Sequence, residues 1–207
     1  WRVVGNTGFN KSGYRIAEQP EKDGYVLEEK ATENDVLTYR IETRPLKRPT
    51  WESVDATVTI NGEKEVLLQN STNSNMIALN SYSTPKEGVT AEVIYIDDIK
   101  KLKTTNVNGK IVFAETSPGR IFKIAHDGGA VGVITYNNPN YLQPEKNTTS
   151  IQFRSIPLDT VHKSWGIAMS YAAKERLKQC LEKGKPTLNV KIETKIYPSE
   201  ELTIVAD

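Results

Sequence analysis

His126, His162 and Cys180 are the only histidines and the only cysteine in this 207-residue chain, and any metal or nucleophilic chemistry must start from them. A zinc site asks for three or four His, Cys, Asp or Glu side chains that converge on one point. The sequence contains neither His-Glu-x-x-His nor His-x-Asp. His126 and Asp127 are adjacent and cannot easily aim at one ion, so a histidine closing a helix near its negative end is the preferred reading. We assign no metal ligand. Cys180 falls on the apolar stripe of a helix and reads as a small core hydrophobe. Ser164 follows His162 closely, but no orienting acid is identifiable and no Gly-x-Ser-x-Gly elbow is present. Asp97-Asp98 and Glu200-Glu201 fall in predicted loops, where solvated charge outweighs an acid–base pair. We assign no catalytic residue.

The elements that would hold these groups centre on Asn108 to Tyr136. Ile111, Val112, Phe113 and Ala114 form a short apolar run bounded by Asn108-Gly109 and Ser117-Pro118-Gly119, which predicts a buried strand. Ser117 is placed to cap a helix, and Pro118 suits its first position. Ile121, Ile124 and Ala125 share one helical face, Gly128-Gly129 ends the helix, and Val131 to Tyr136 returns as a second buried strand. Gly128, Gly129 and Gly132 thus follow a helix and open a strand. A phosphate-binding loop needs the reverse order, so nucleotide binding is set aside.

Before this unit, Tyr14–Glu21 predicts a short helix and Tyr25–Glu28 a short strand. Val36–Thr43 alternates as a strand, and Pro45 and Pro49 break the segment after it. Asn61-Gly62 predicts a type I′ hairpin between Ala56/Val58/Ile60 and Val66/Leu68. Gln69–Pro85 reads as a loop with a short strand at Met76–Leu79, and Val89–Ile96 as a strand. After it, Asn137–Ser150 is a polar loop with two prolines. Ser170 is a helix N-cap, Ala173, Leu177, Cys180 and Leu181 form a stripe, and Lys174, Glu175 and Lys178 face out. Leu188, Val190, Ile192 and Ile196 alternate as a long half-buried strand. The expected fold is α+β and β-rich: a curved β-sandwich or open barrel flanked by two helices, with only one short crossover of parallel-sheet character.

A formal charge of +1 supplies no field that favours nucleic acid. One cysteine excludes an internal disulfide framework. No stretch reaches the roughly 18 apolar residues of a membrane span, and no signal peptide is visible. The first residue is Trp1 and the last follows an apolar run, so both ends read as cut from a longer protein. Asn10, Asn70 and Asn147 head Asn-x-Ser/Thr sequons, which matter only in a glycosylating secretory pathway.

The segments NVNGKIVFAE and AHDGGAVGVITYNNP resemble the core of a protease-associated (PA) domain: a strand after Gly-Lys, a helix closing on Gly-Gly-Ala, then a Gly-Val-Ile strand. SIP followed by GIAMS and a Gly-terminated helix is similar to the second half of that domain. RPTWES resembles the entry to it in zinc-dependent aminopeptidases and carboxypeptidases of the vacuolar aminopeptidase and glutamate carboxypeptidase type. RVVGNTGF and LTIVAD resemble flanking parts of their catalytic domain.

The resemblance implies an N-terminal arm at 1–49, ending an upstream catalytic segment, and a PA domain at 50–200. It implies that 201–207 begin a strand leading into a further catalytic domain. The fragment itself would be no enzyme and carry no cofactor, zinc belonging to the catalytic domain of the parent exopeptidase. It would shape or cap the substrate cleft, or mediate protein contacts. Arg120, at the start of the central helix, would reach towards substrate and pair with a carboxylate. Tyr141 and Arg154, on or beside the long loop, are further contact candidates, while Trp51 and Trp165 read as core or interface anchors. Expected partners are the rest of the parent peptidase, a peptide substrate and a second copy in a homodimer, with no nucleic acid and no membrane segment. The parent would be secreted, periplasmic or vacuolar/lysosomal. The alternative is a peptide-binding PA module of a non-enzymatic receptor or of a serine protease.

Overall fold

The computed structural model describes residues 3–207. The chain divides into two compact units: one of residues 1–52 and 196–207, the other of residues 53–195.

Asn6 starts the helix of the first unit. Its side-chain oxygen accepts the Phe9 N–H at 2.8 Å and caps α1 (Thr7–Lys22), a longer helix than the Tyr14–Glu21 pattern predicts. Pro20 sits inside the helix, near its end. A three-stranded sheet completes the unit. β2 (Thr38–Pro45) pairs in parallel with β1 (Val26–Leu27) and antiparallel with β10 (Glu200–Ala206), Ile204 opposite Ile41. Tyr39 is buried and its hydroxyl donates to Glu21 at 2.8 Å, tying β2 to α1.

The second unit carries a seven-stranded open sheet in the order β4-β3-β9-β5-β6-β7-β8. Its strands are β3 (Thr50–Ile60), β4 (Val66–Gln69), β5 (Val89–Ile96), β6 (Ile111–Ala114), β7 (Gly132–Thr135), β8 (Gly166–Ala168) and β9 (Thr187–Tyr197). The unit boundaries fall within β3 and β9. β3–β4 and β5–β9 are antiparallel, whereas β5, β6, β7 and β8 run parallel. The α+β, β-rich class holds, as an open sheet and not a closed barrel. The parallel share exceeds the single crossover expected, because β5 also pairs in parallel with β6 across the charged connection 97–110 and β8 joins β7 after the long segment 136–165, and neither connection carries a helical periodicity. All of β6 and β7 is buried, as strands covered on both faces require.

Two helices cover this sheet: α2 (Pro118–Asp127) and α3 (Tyr171–Lys183). Ile121, Phe122 and Ala125 of α2 join Val112, Ala114 and Val133 in one core cluster with Leu102, Val107 and Ile156. Ile111 and Phe113, on the opposite side of β6, are also fully buried. Ser117 takes the cap position of α2, but its hydroxyl makes no capping bond. At the other end Gly129 has φ +84°, and its bare Cα lies directly against Asn108.

The hairpin over Asn61-Gly62 forms with a different turn. Only Gly62 has positive φ, five residues separate the strands, and the register shifts between Val58 and Thr59. Arg176 of α3 holds this loop through Glu63 and the carbonyls of Glu65 and Val66, an anchor that local turn chemistry does not reveal. Met76–Leu79 forms no continuous strand ladder; Ile77 and Leu79 make isolated bridges to Ile167 and Ser155.

Candidate functional site

In open sheets with parallel strands, ligands and partners meet the carboxyl ends of those strands. In the second unit, β5, β6, β7 and β8 end at Ile96, Ala114, Thr135 and Ala168. Beyond the last three ends lie Glu115 and the start of α2, Tyr136 and the polar loop, and Ser170 with the start of α3. Ser170 caps α3 by accepting the Ala173 N–H at 3.2 Å.

Glu115 is the hub of this edge. Its carboxylate accepts hydrogen bonds from Tyr95 Oη at 2.9 Å and Lys178 Nζ at 2.8 Å, with Lys174 Nζ 3.9 Å away. Burial opposes its ionisation, but the bonds from Lys178 and Tyr95 outweigh this and hold the carboxyl below its ordinary value. Lys178 is raised in return, chiefly by the same bond. Burial and then the Glu115 bond push the Tyr95 phenol up.

Lys174 corrects the outward-facing reading. It is only 7% exposed, and its ammonium lies 4.4 Å from the Tyr171 ring centre and 4.8 Å from that of Tyr136, beside Glu175. The two rings supply the negative π-faces that make burial of the cation tolerable. Helical spacing alone put Lys174 on the polar face. Tyr136 comes from the end of β7, so only the fold could reveal the cage.

Arg120 is exposed on the first turn of α2. Tyr141 is 78% exposed in a short 3-10 turn of the polar loop. Arg154 is half-buried, and its guanidinium donates to the carbonyls of Asn137 and Phe153 and to Gln152 Oε1. Its observed work is to hold the loop. The backbone brings the three segments together: Gly119 packs beside the Ser155 carbonyl, and Arg154 binds Asn137 at the start of the Tyr141 loop. Among the described residues no hydrogen bond or ion pair joins the three side chains to one another.

Asn10 lies within α1, and its amide donates to the Gly5 carbonyl at 3.5 Å. Asn70 donates to Val54 at 3.3 Å, and Asn147 is exposed with its amide on Leu142 at 2.8 Å. Trp51 and Trp165 are both buried. Cys180 is half-buried, with burial first and Glu63 second raising its thiol above the ordinary value. Asp127 is paired with Lys123 at 2.8 Å. His126 instead meets the ring of His162 at a centre-to-centre distance of 4.4 Å, with Asp159 beside it. No sequence spacing signals that meeting, because 35 residues lie between the two histidines and most of that stretch, after β7, is irregular.

No family model matches the chain, and no curated protein matches it. Solved structures do. The chain is similar to an aminopeptidase from Aneurinibacillus sp. strain AM-1, with 21% identity, a TM-score of 0.57 and coverage of 99% of this chain and 43% of that one. BSAP, a zinc aminopeptidase from Bacillus subtilis, is 18% identical with a TM-score of 0.63, over 98% of this chain and 42% of its own. A peptidase M28 precursor from Shewanella amazonensis SB2B is 13% identical with a TM-score of 0.62, over 98% and 46%. The chain spans less than half the length of each, and its fold is that of a part of these peptidases.

Proposed function

We propose that the chain is a non-catalytic part of a larger zinc-dependent exopeptidase. In this reading the second unit is a protease-associated domain, and the first unit is a piece of the catalytic domain from which it is inserted. The observation that carries the reading is the coverage: 98–99% of this chain aligns with aminopeptidases of which it spans 42–46%. Fold does not by itself bring function, so the role rests on the surface. Exposed Arg120 and Tyr141 stand on segments at the carboxyl edge of the parallel strands. That edge shapes or caps the substrate cleft and contacts peptide, with dimer contact as the other use of the same surface. Zinc would be held by residues of the parent catalytic domain. This sequence has no His-x-Asp ligand pair to offer it, so no step of hydrolysis is assigned to these residues. The parent acts in a secreted, periplasmic or vacuolar/lysosomal setting.

The test compares this chain with a longer form carrying the sequence that continues past Asp207. The longer form should bind zinc at a catalytic site and release amino acids from short peptides; this chain should show no hydrolysis. Chelator-sensitive hydrolysis by the 207-residue chain itself would contradict the non-catalytic assignment. An inactive longer form that captures peptides would favour the receptor module.

A further inference from the structure

His126 closes α2, and its Nδ1 lies 3.4 Å from the Ala130 carbonyl. A carbonyl only accepts, so in the neutral ring the proton belongs on Nδ1 and Nε2 is the acceptor. That Nε2 is buried and has no hydrogen-bond partner. An unpaired buried acceptor is costly and calls for an occupant.

Across from it, the segment entering β8 folds into a tight turn around Asp159. One Asp159 oxygen accepts the backbone N–H of Val161 at 2.9 Å and of His162 at 3.0 Å. The other accepts His162 Nδ1–H at 2.8 Å. Asp159 Oδ2 and His162 Nδ1 thus converge, and a cation that displaces the proton between them would meet both. Metal-ligating histidines are oriented in this way, with the far N–H on a carboxylate or a backbone carbonyl. His126 has that support from the Ala130 carbonyl.

We propose that His126, Asp159 and His162 form a binding site for a divalent transition-metal ion with the ligand preference of zinc. Each residue offers one ligand atom, and these atoms lie within 4.8 Å of one another. Tetrahedral ligands on one zinc at about 2.0–2.1 Å sit about 3.4 Å apart, so a side-chain shift of about 1.5 Å closes the site. His162 is exposed and can make that shift. Two imidazoles and one carboxylate suit zinc, nickel or copper; magnesium and calcium prefer all-oxygen shells. The neighbouring cation Lys123 is held at 2.8 Å by Asp127. A bound ion would clamp the end of α2 to the segment that delivers Trp165 and β8. The proposal is independent of the peptidase reading.

The test uses the 207-residue chain without a histidine tag, titrated with zinc against a chromogenic chelator, with thermal unfolding in parallel. One zinc ion per chain and a rise in Tm are expected. His162→Ala, at an exposed position, should keep the fold by circular dichroism, weaken binding by at least about tenfold and abolish the Tm rise. Asp159→Asn, which removes the anionic ligand, should weaken binding by at least about tenfold. Cys180→Ser should bind like the parent chain. Absence of stoichiometric binding would overturn the site. So would unchanged binding in His162→Ala, loss in Cys180→Ser, or equal binding of magnesium.

Discussion

The indole of Trp165 lies against the bare Cα of Gly132, in the space where any side chain on residue 132 would project. Gly132 begins β7, and Trp165 immediately precedes β8, which pairs with it. A residue chosen for its missing side chain thus lets the largest aromatic in the second unit close the core. Gly132→Ala should destabilise the protein by roughly 1–3 kcal/mol through overpacking. Urea denaturation of the variant checks this, and an unchanged midpoint would mean that the indole yields freely.

Lys174 and its two tyrosines make a second test. Lys174→Ala removes a buried cation from between the rings and its packed stem, and should cost about 1–3 kcal/mol. Glu115 keeps Lys178 in that variant, so the loss is not that of an unpaired acid. Tyr171→Leu, measured alongside in a double-mutant cycle, should show coupling to Lys174. Additivity of the two changes would rule out a cation–π contribution.

The Glu115–Lys178 pair sets a pH window. The carboxyl is lowered from 4.5, so its stabilisation is present above that value and fades as pH falls through the lower folded value. The ammonium is raised from 10.5, so its share is complete below that value and fades as pH rises through the higher folded one. Both groups are about a third exposed, which limits the pair to about 1 kcal/mol or less. The stability difference between the parent chain and Glu115→Gln should therefore be flat from pH 5 to 10, in the ~4.5–10.5 range of the two ordinary values, and shrink below it. A difference that persists at pH 2, well below about 4, would assign it to packing.

Arg120 and Arg154 should separate cleanly. Arg154 holds Asn137 and Gln152, so Arg154→Ala should lower stability by about 1–2 kcal/mol and loosen the Tyr141 loop. Amide exchange across 137–150 reads the loosening. Arg120→Ala should leave Tm within about a degree, as an exposed surface change does, and, if the proposed peptidase parent is right, should raise its KM more than it lowers kcat. A KM unchanged for every peptide tried would remove Arg120 from the cleft.

The centre of the fold was legible because local signals agreed there. The apolar run Ile111 to Ala114, Pro118 at a helix start, Gly128-Gly129 at its end and Val133-Ile134 in the return strand each belong to one element, and burial follows them. Ser170 capped α3 as its position implied. The Asn61-Gly62 turn misled on type because Arg176, far along the chain, holds the loop in a longer form. The parallel partner of β7 was hidden for a similar reason: β8 has three residues and arrives after a long aperiodic segment.

What the amino-acid order determined by itself is therefore most of the elements, above all the β6–α2–β7 unit with its apolar faces and stops, since caps, proline and glycine geometry and side-chain periodicity act over a few residues. The tertiary structure alone decided which distant groups meet: Lys174 with Tyr136, Glu115 with Lys178, and His126 with His162 and Asp159. Those meetings depend on strand order and on how irregular segments cross the sheet. Both are set by burying one shared core, and no local spacing encodes them.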